Sequence, residues 1–342
     1  MRTAIVLFNL GGPDRPEAIK SFRVNLFSDK AIIRAPWFIR VWLSRLIAAS
    51  AAKTAIANYR LIGGKSPLLA LTQQQARALE ADLGPDYRCF IAMRYWHPFA
   101  RETVREVKNW APERVILMPL YPQFSTTTTG SSLTDWRLAA IKADLVTDVT
   151  SICCWFDHPA YIAASAALVR EAINTAKTQA PGVQLRVLFS AHGLPQSIIT
   201  RGDPYQAQIE ATSTAIMTHL AETGVESVVC YQSRATPQKW LEPNVVDEIT
   251  KAGKAGVGVV VVPIAFVSDH IETLVELDIE NRHIAESANV PVYVRARVAN
   301  SDPAFIHALA QIIRQADRNG LCRGGSACGA HKDCPWEKHV EA

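Results

Sequence analysis

The sequence predicts an α/β protein with two Rossmann-like domains, each a four-stranded parallel sheet flanked by helices, and an active-site cleft between them. Short runs rich in Val, Ile and Leu alternate with amphipathic stretches, which is typical of parallel strands covered on both faces. This rhythm starts again near residue 150. The chain has 342 residues, which is long for one hydrophobic core and suits two domains.

Eight short apolar runs are the predicted strands. In chain order they are Thr3–Leu10, Arg88–Met93, Arg114–Pro119, Val146–Ile152, Val183–Phe189, Ser227–Tyr231, Gly258–Pro263 and Pro291–Val294. Amphipathic stretches such as Leu71–Leu83 and Pro159–Thr178 predict helices between them. We place the first domain at residues 1–150 with a lip of the cleft near 36–50, the second at 151–315, and a cysteine-rich tail at 316–342.

Composition excludes several classes of protein. A hydrophobic fraction of 49% and a charged fraction of 20% are ordinary for a globular protein. The net charge is only +4 and no Lys/Arg block occurs, so nucleic acid is not an expected partner. No apolar run reaches the roughly 20 residues of a spanning helix, and the start of the chain resembles a strand rather than a signal peptide. We therefore expect a cytoplasmic location.

Two glycine-containing segments invite comparison with phosphate-binding loops. Gly11-Gly12-Pro13 lacks the GxGxxG spacing, and Gly64-Lys65-Ser66 has Tyr59 where a Walker A loop needs its first glycine. The backbone amides that would hold phosphate are not supplied at the required positions. The sequence therefore argues against a nucleotide enzyme.

A histidine follows the fifth predicted strand, in Ser190-Ala191-His192-Gly193-Leu194-Pro195. In open α/β sheets the carboxyl ends of the strands face the ligand crevice. A neutral imidazole there can accept a proton or bind a metal. The alternative is a histidine that is only hydrogen-bonded within a turn.

A row of carboxylates follows the seventh predicted strand. Glu272, Glu276 and Glu280 are spaced by four residues after Ser268-Asp269-His270, so they share one helix face. Like charges in a row destabilise a helix, and a solvated acidic surface is the ordinary interpretation. Because this row begins at a strand end, it could instead conduct protons or divalent cations, and a π-bulge would align it.

Three further polar, aromatic-rich segments follow predicted strands. They are Arg94-Tyr95-Trp96-His97-Pro98, the stretch from Tyr121 to Ser132, and Tyr231-Gln232-Ser233-Arg234 leading to Trp240. Singly, each is also consistent with a core edge, a buried ion pair or a capped turn. Together, the five segments indicate a cleft for metal chemistry on a planar macrocycle.

These segments resemble the ferrochelatase family in family order. The matching stretches are Leu7–Pro13, Tyr59–Pro67, Met93–Tyr95, Tyr121–Ser132, Leu188–His192, Arg201–Tyr205, Tyr231–Ser233 and Pro263–Glu280. The resemblance implies insertion of Fe²⁺ into protoporphyrin IX to form haem. Chelation of another metal, use of coproporphyrin, and a non-catalytic porphyrin or haem carrier are the alternatives.

The resemblance also implies roles for residues. His192 and Glu272 would face each other across the macrocycle and handle the metal and the pyrrole protons. His270, Glu276 and Glu280 would continue the acidic path. The remaining implied substrate-binding residues are Leu10, Ser66, Arg94, Tyr95, Tyr121, Trp240 and Phe266.

The tail contains three cysteines, Cys322, Cys328 and Cys334, spaced C-x5-C-x5-C. Some ferrochelatases carry a [2Fe–2S] cluster on one upstream and three C-terminal cysteines, and four thiolates are the usual ligand set. Animal relatives place the upstream cysteine where this chain has Thr126, so Cys153 or Cys154 would have to replace it. A zinc site completed by His331, or no metal, is the alternative.

The segment from Pro36 to Ile47 contains two tryptophans among Leu, Ile and Arg. This composition suits an interfacial helix, and the poor solubility of porphyrin and haem would favour one. The alternative is a helix whose apolar side packs on the core. We therefore expect peripheral contact with the inner membrane, and cluster-bearing relatives suggest a homodimer.

Overall fold

The structure is a computed structural model that describes residues 1–50, 52–221, 224–233 and 238–319. Residues 317–319 are described by their backbone only. The chain forms two compact units. The first unit comprises Met1–Cys154 together with the last helix from Leu309 on, and the second comprises Trp155–Ala308.

The first unit contains a four-stranded parallel sheet. Its strands are β1 (Thr3–Asn9), β2 (Tyr87–Met93), β3 (Arg114–Pro119) and β4 (Asp148–Ser151), in the order β2-β1-β3-β4. Its helices are α1 (Ala18–Phe27), α2 (Trp37–Ser50), α3 (Ala52–Leu61), α4 (Leu68–Leu83), α5 (Ala100–Trp110) and α6 (Thr129–Lys142).

The second unit repeats this arrangement. Its helices α7 (Pro159–Gln179), α8 (Gln196–Thr200), α9 (Tyr205–Leu220), α10 (Val245–Lys254) and α11 (Asn281–Ser287) surround strands β5 (Leu185–His192), β6 (Glu226–Gln232), β7 (Gly258–Pro263) and β8 (Tyr293–Arg295). The parallel order is β6-β5-β7-β8. A π-helix, Glu272–Glu280, follows β7, and α12 (Pro303–Asn319) ends the described chain.

All eight predicted strands are present, which confirms the predicted pair of parallel sheets. The central strands are mainly apolar because helices cover both faces, and every residue of β1 and of β7 is buried. Several predicted boundaries are wrong by one to three residues. The largest difference is in β5, which continues to His192 because His192 stays in register with Gln232 of β6.

The strand order places the polar segments. In each sheet the chain leaves its first strand toward one edge and later returns to the other side of that strand, so the order reverses between β1 and β3 and between β5 and β7. Such a reversal opens a crevice at the carboxyl ends of the strands. Side chains that follow β5 and β7 therefore collect at one edge of the second sheet.

Helix α12 has residues in both units. Near its end, Arg314 Nη2 donates to the carbonyl of Asp82 at 2.7 Å and pairs with the Asp82 carboxylate at 3.0 Å. This contact fixes the helix to the end of α4. The first unit is thus assembled from two stretches of chain that are far apart in sequence.

Candidate active site

His192 and Glu272 form the centre of the candidate site in the second unit. His192 ends β5, Glu272 opens the π-helix after β7, and these neighbouring strands pair up to Ser190 and Pro263. The imidazole Nδ1 lies 3.1 Å from Glu272 Oε2. Nε2 of His192 has no hydrogen-bond partner among the described residues. A carboxylate that accepts from Nδ1 leaves the lone pair of a neutral ring on Nε2.

His270 also approaches the same carboxylate oxygen. Its Nε2 is 3.5 Å from Glu272 Oε2, while its Nδ1 donates to the carbonyl of Ser268 at 3.1 Å. The ring of Phe266 lies 4.5 Å from the imidazole, centroid to centroid. Glu272 is therefore held between two imidazoles that approach from different segments.

The carboxylate row lies on a true π-helix. At its end, Asn281 N donates to the carbonyl of Glu276, five residues back. A turn closed by such a bond is wider than an α-turn, so side chains four positions apart fall almost one above another. The π geometry expected for the acidic row is therefore present.

Glu276 is anchored to the end of β6. Its Oε1 accepts from Ser233 N at 3.0 Å, and its Oε2 accepts from Gln232 Nε2 at 2.9 Å and from Ser233 Oγ at 2.5 Å. Gln232 in turn accepts from Ser190 Oγ at 2.8 Å. The ends of β5 and β6 and the π-helix thus form one hydrogen-bonded unit.

The site displaces the pKa values of its members in different directions. Burial disfavours the charged form of His192, but the charge and hydrogen bond of Glu272 and the charge of Glu276 outweigh it and raise the pKa of His192. Burial likewise opposes ionisation of Glu272, yet the two imidazoles hold its pKa well below the usual range. Burial and the charge of Glu272 raise the pKa of Glu276. Carboxyls with separated pKa values are typical of proton-transfer sites.

The first unit carries a different polar cluster at the corresponding edge. Asp29, whose side chain is 7% exposed, accepts from Tyr95 OH at 2.9 Å and pairs with Arg94 Nη2 at 2.9 Å. Ser131 Oγ donates to the same carboxylate and accepts from Arg94 Nε at 2.7 Å. Arg94 and Tyr95 are therefore held by one buried acid.

The other predicted site residues are distributed over both units. In the first, Leu10 and Ser66 are half-buried and Tyr121 is buried. In the second, Trp240 is buried and its backbone forms an isolated antiparallel β-bridge with Pro195. Phe266 is half-buried, and Glu280 is exposed at the end of the π-helix.

One expectation is wrong. A hydrogen bond of 3.1 Å between His192 and Glu272 leaves no room for a macrocycle between them. The two side chains lie side by side, at the end of β5 and at the start of the π-helix. Within the described residues, no three His, Cys, Asp or Glu side chains converge as a metal-holding group.

The cysteine predictions divide into two parts. Cys322, Cys328 and Cys334 lie outside the described residues. Cys153 and Cys154 are buried just after β4, with their Sγ atoms 3.6 Å apart.

Two parallel four-stranded units of this kind form the fold of the two-domain chelatases. SirB from Bacillus subtilis with Fe³⁺ superposes with a TM-score of 0.53 at 13% identity, over 94% of this chain and 98% of that one. The sirohydrochlorin chelatase SirB from Bacillus subtilis subspecies spizizenii, in complex with cobalt, gives 0.50 at 10% identity, over 92% and 95%. At these identities the likeness concerns the fold.

Sequence comparison then specifies the family. The ferrochelatase family model matches residues 2–317. Ferrochelatase from Caulobacter vibrioides is 48% identical, over 98% of this chain and 96% of the relative. That of Rickettsia bellii is 45% identical, over 91% and 86%. The chain belongs to the ferrochelatase family.

Two charged residues near these clusters were missed by sequence reasoning. Asp29 and Arg295 each stand alone in sequence, without a repeating pattern. Their partners lie on other elements, so only the folded chain reveals their contacts.

Proposed function

We propose that this chain inserts Fe²⁺ into protoporphyrin IX to form protohaem, the last step of haem biosynthesis, with His192 as the proton acceptor. The hydrogen bond from His192 Nδ1 to Glu272 carries the proposal. It orients the ring and leaves Nε2 available as a base, which is the arrangement that general-base catalysis requires. Family membership supports the reaction itself.

The reaction releases two protons because Fe²⁺ replaces both pyrrole N–H hydrogens. His192 Nε2 accepts a proton from a pyrrole nitrogen, and the nearby Glu272 carboxylate stabilises the resulting imidazolium. Glu276, whose pKa is raised by burial and by Glu272, can accept a proton at a higher pH than an ordinary carboxyl group. Protons would leave along the row toward exposed Glu280.

The same row would deliver the metal. Fe²⁺ is a substrate here, and His192, His270, Glu272, Glu276 and Glu280 are the proposed contacts along its path. Carboxylate oxygens and imidazole nitrogens both bind first-row divalent ions.

The porphyrin would be bound by aromatic and apolar walls with a few polar contacts. We propose Leu10, Ser66, Arg94, Tyr95, Tyr121, Trp240 and Phe266 for these roles. A flat macrocycle hides its nitrogen lone pairs, so binding energy from such walls can be used to bend it.

Anaerobic mixing of the protein with Fe²⁺ and protoporphyrin tests the function. We expect the porphyrin absorbance spectrum to change to that of haem. Coproporphyrin and Co²⁺ or Zn²⁺, used in parallel, define which substrates are preferred. Binding of porphyrin without insertion of any of these metals would contradict the proposal and indicate a carrier.

We further propose that the tail binds a [2Fe–2S] cluster through Cys322, Cys328, Cys334 and either Cys153 or Cys154. The buried adjacent pair provides a thiol sheltered from solvent, which suits one ligand position. The purified protein should show broad visible absorbance bleached by dithionite. A colourless protein, or equal absorbance in the Cys153→Ser/Cys154→Ser double variant, would contradict this ligand set.

Peripheral membrane contact is proposed for α2. Its Trp37 and Trp42 are 71% and 63% exposed, and Phe38 and Leu46 are exposed beside them. No helix in the described part of the chain has both the length and the apolar character needed to cross a bilayer. An exposed apolar face of this kind suits insertion at the lipid surface. A homodimer remains a prediction.

A further inference from the structure

Strand β8 holds the π-helix from the side. Tyr293 OH donates to the carbonyl of Leu277 in the π-helix at 2.7 Å, and Arg282 Nη1, in the following helix α11, donates to the carbonyl of Tyr293 at 3.1 Å. Strand β8 is therefore bonded both to the π-helix and to the helix that directly follows it. Burial raises the pKa of Tyr293, so its hydroxyl keeps its proton and remains a donor.

The last residue of β8, Arg295, extends this contact to two carboxylates. Its Nη2 lies 2.8 Å from Asp278 Oδ2, and its Nη1 lies 3.4 Å from Asp269 Oδ1. The arginine side chain is only 12% exposed. Asp269 precedes the π-helix and Asp278 lies inside it, so one guanidinium connects the entry of the helix to its body.

The entry segment is itself fixed at Asp269. Its carboxylate accepts from Asn300 Nδ2 at 2.9 Å, and its backbone N donates to Asn300 Oδ1 at 3.0 Å. Thr273 Oγ1, in the first turn of the π-helix, also donates to it at 2.9 Å. Asp269 therefore transmits the position of Arg295 to the turn that contains Glu272.

A π-helix needs such support. Its hydrogen-bond pattern is rare, which marks it as less favourable than the α-helix. Here it also carries Glu272, Glu276 and Glu280 in one column, and like charges in a column repel each other. Arg295 offsets part of the negative charge that Asp269 and Asp278 would add beside that column, without contacting any of its members.

We propose that Arg295 is a positioning residue that fixes the turn of the π-helix, so that Glu272 faces His192 and Glu276 faces Ser233. The proposal rests on the proposed function, because it concerns the metal path of the same site. Arg295 contacts neither His192 nor any member of the column. Its effect is therefore on the alignment of the carboxylates.

A positioning role of this kind predicts different effects on the KM values of the two substrates. Misalignment of the column would weaken contacts with Fe²⁺, whereas the porphyrin walls do not involve β8. Loss of a residue that orients metal-binding groups typically costs about tenfold in metal affinity or activity. We therefore expect the KM for Fe²⁺ to rise about tenfold in Arg295→Met, with the KM for protoporphyrin unchanged.

Arg297→Met is the matched control. Arg297 lies two residues further on and forms two ion pairs, with Glu171 and Asp302, both at 2.9 Å, but its side chain is 47% exposed and contacts no residue of the π-helix. Its loss should leave both KM values unchanged. An equal rise of both KM values in Arg295→Met would indicate general damage and would overturn the proposal, as would no rise in either.

Asp278→Asn provides a second route if Arg295→Met fails to fold. It removes one half of the bridge and should raise the KM for Fe²⁺ in the same selective way; an unchanged value would overturn the proposal. Where both variants fold, the double variant should be no worse than Arg295→Met, since the residues act as a pair. If the wild-type protein inserts no Fe²⁺, the proposed function fails. If it does and these variants match it, only the inference fails.

Discussion

The two units have the same strand order but hold different chemistry at the same sheet edge. In the first, Asp29, Arg94, Tyr95 and Ser131 satisfy one another in a buried network. In the second, His192 keeps one nitrogen without a partner among the described residues. Topology therefore provides the location of a site, and the balance of partners decides whether the site is reactive.

The surfaces of the two units also differ. Among the described residues, every exposed large apolar side chain lies in the first unit. We infer a division of labour in which the first unit supplies the membrane contact and the second unit supplies proton and metal chemistry, while both supply porphyrin contacts.

Replacement of His192 should have the largest effect on turnover. His192→Ala removes the proposed base, so the rate of insertion should fall by about a thousandfold, while porphyrin binding measured by fluorescence quenching is retained. His97→Ala is the control in the first unit, where His97 is exposed and bonded to Glu102 at 3.0 Å. Full turnover by His192→Ala would show that the reactive group lies elsewhere.

Glu272→Gln should have the next largest effect. The charge of Glu272 raises the pKa of His192, and His192 must be neutral to accept a proton. The rate of the wild-type protein should therefore rise with pH through that raised pKa. In Glu272→Gln the rise should move to lower pH, with a maximal rate reduced by about tenfold.

Glu276→Gln tests the same assignment with a smaller change. Glu276 also raises the pKa of His192, but less than Glu272 does. The pH–rate profile should shift in the same direction by a smaller amount. A shift to higher pH in either variant would contradict the assigned base.

Asp29→Asn should affect stability rather than chemistry. Loss of one partner from a buried ion pair costs about 3 kcal/mol, so the unfolding midpoint should fall in thermal denaturation. The pH–rate profile should keep its position. Asp148→Asn, which removes an exposed pair with Arg114, should cost less than about 1 kcal/mol. A collapse of turnover comparable to that of His192→Ala would assign chemistry to the first unit.

The smallest effect on turnover is expected at α2. In Trp37→Ser/Trp42→Ser, co-sedimentation with anionic vesicles should weaken by at least about tenfold, since each buried apolar side chain contributes about 1.5–3 kcal/mol. Turnover in detergent should not change. Leu138→Ser/Ile141→Ser removes another exposed apolar pair of the first unit and should leave sedimentation unaltered. Equal sedimentation of both double variants and the wild type would remove α2 from the proposed membrane contact.

Periodicity made the fold predictable. Continuous aliphatic runs such as Gly258–Pro263 can only be buried strands when helices alternate with them, and all eight were found. The direct contact of His192 with Glu272 was not predictable, because it depends on β5 lying beside β7. Arg295 was missed for the same reason, since its two carboxylates lie on segments that no local pattern connects to β8.

The divided make-up of the first unit has a consequence for biosynthesis. A ribosome releases domains in order from the N-terminus, and they usually fold as they emerge. Here the first unit waits for Arg314 and the end of α12 before its contact with Asp82 can form, whereas Trp155–Ala308 is continuous and complete earlier. We therefore expect nascent chains truncated before Leu309 to contain a protease-resistant second unit and a protease-sensitive first one.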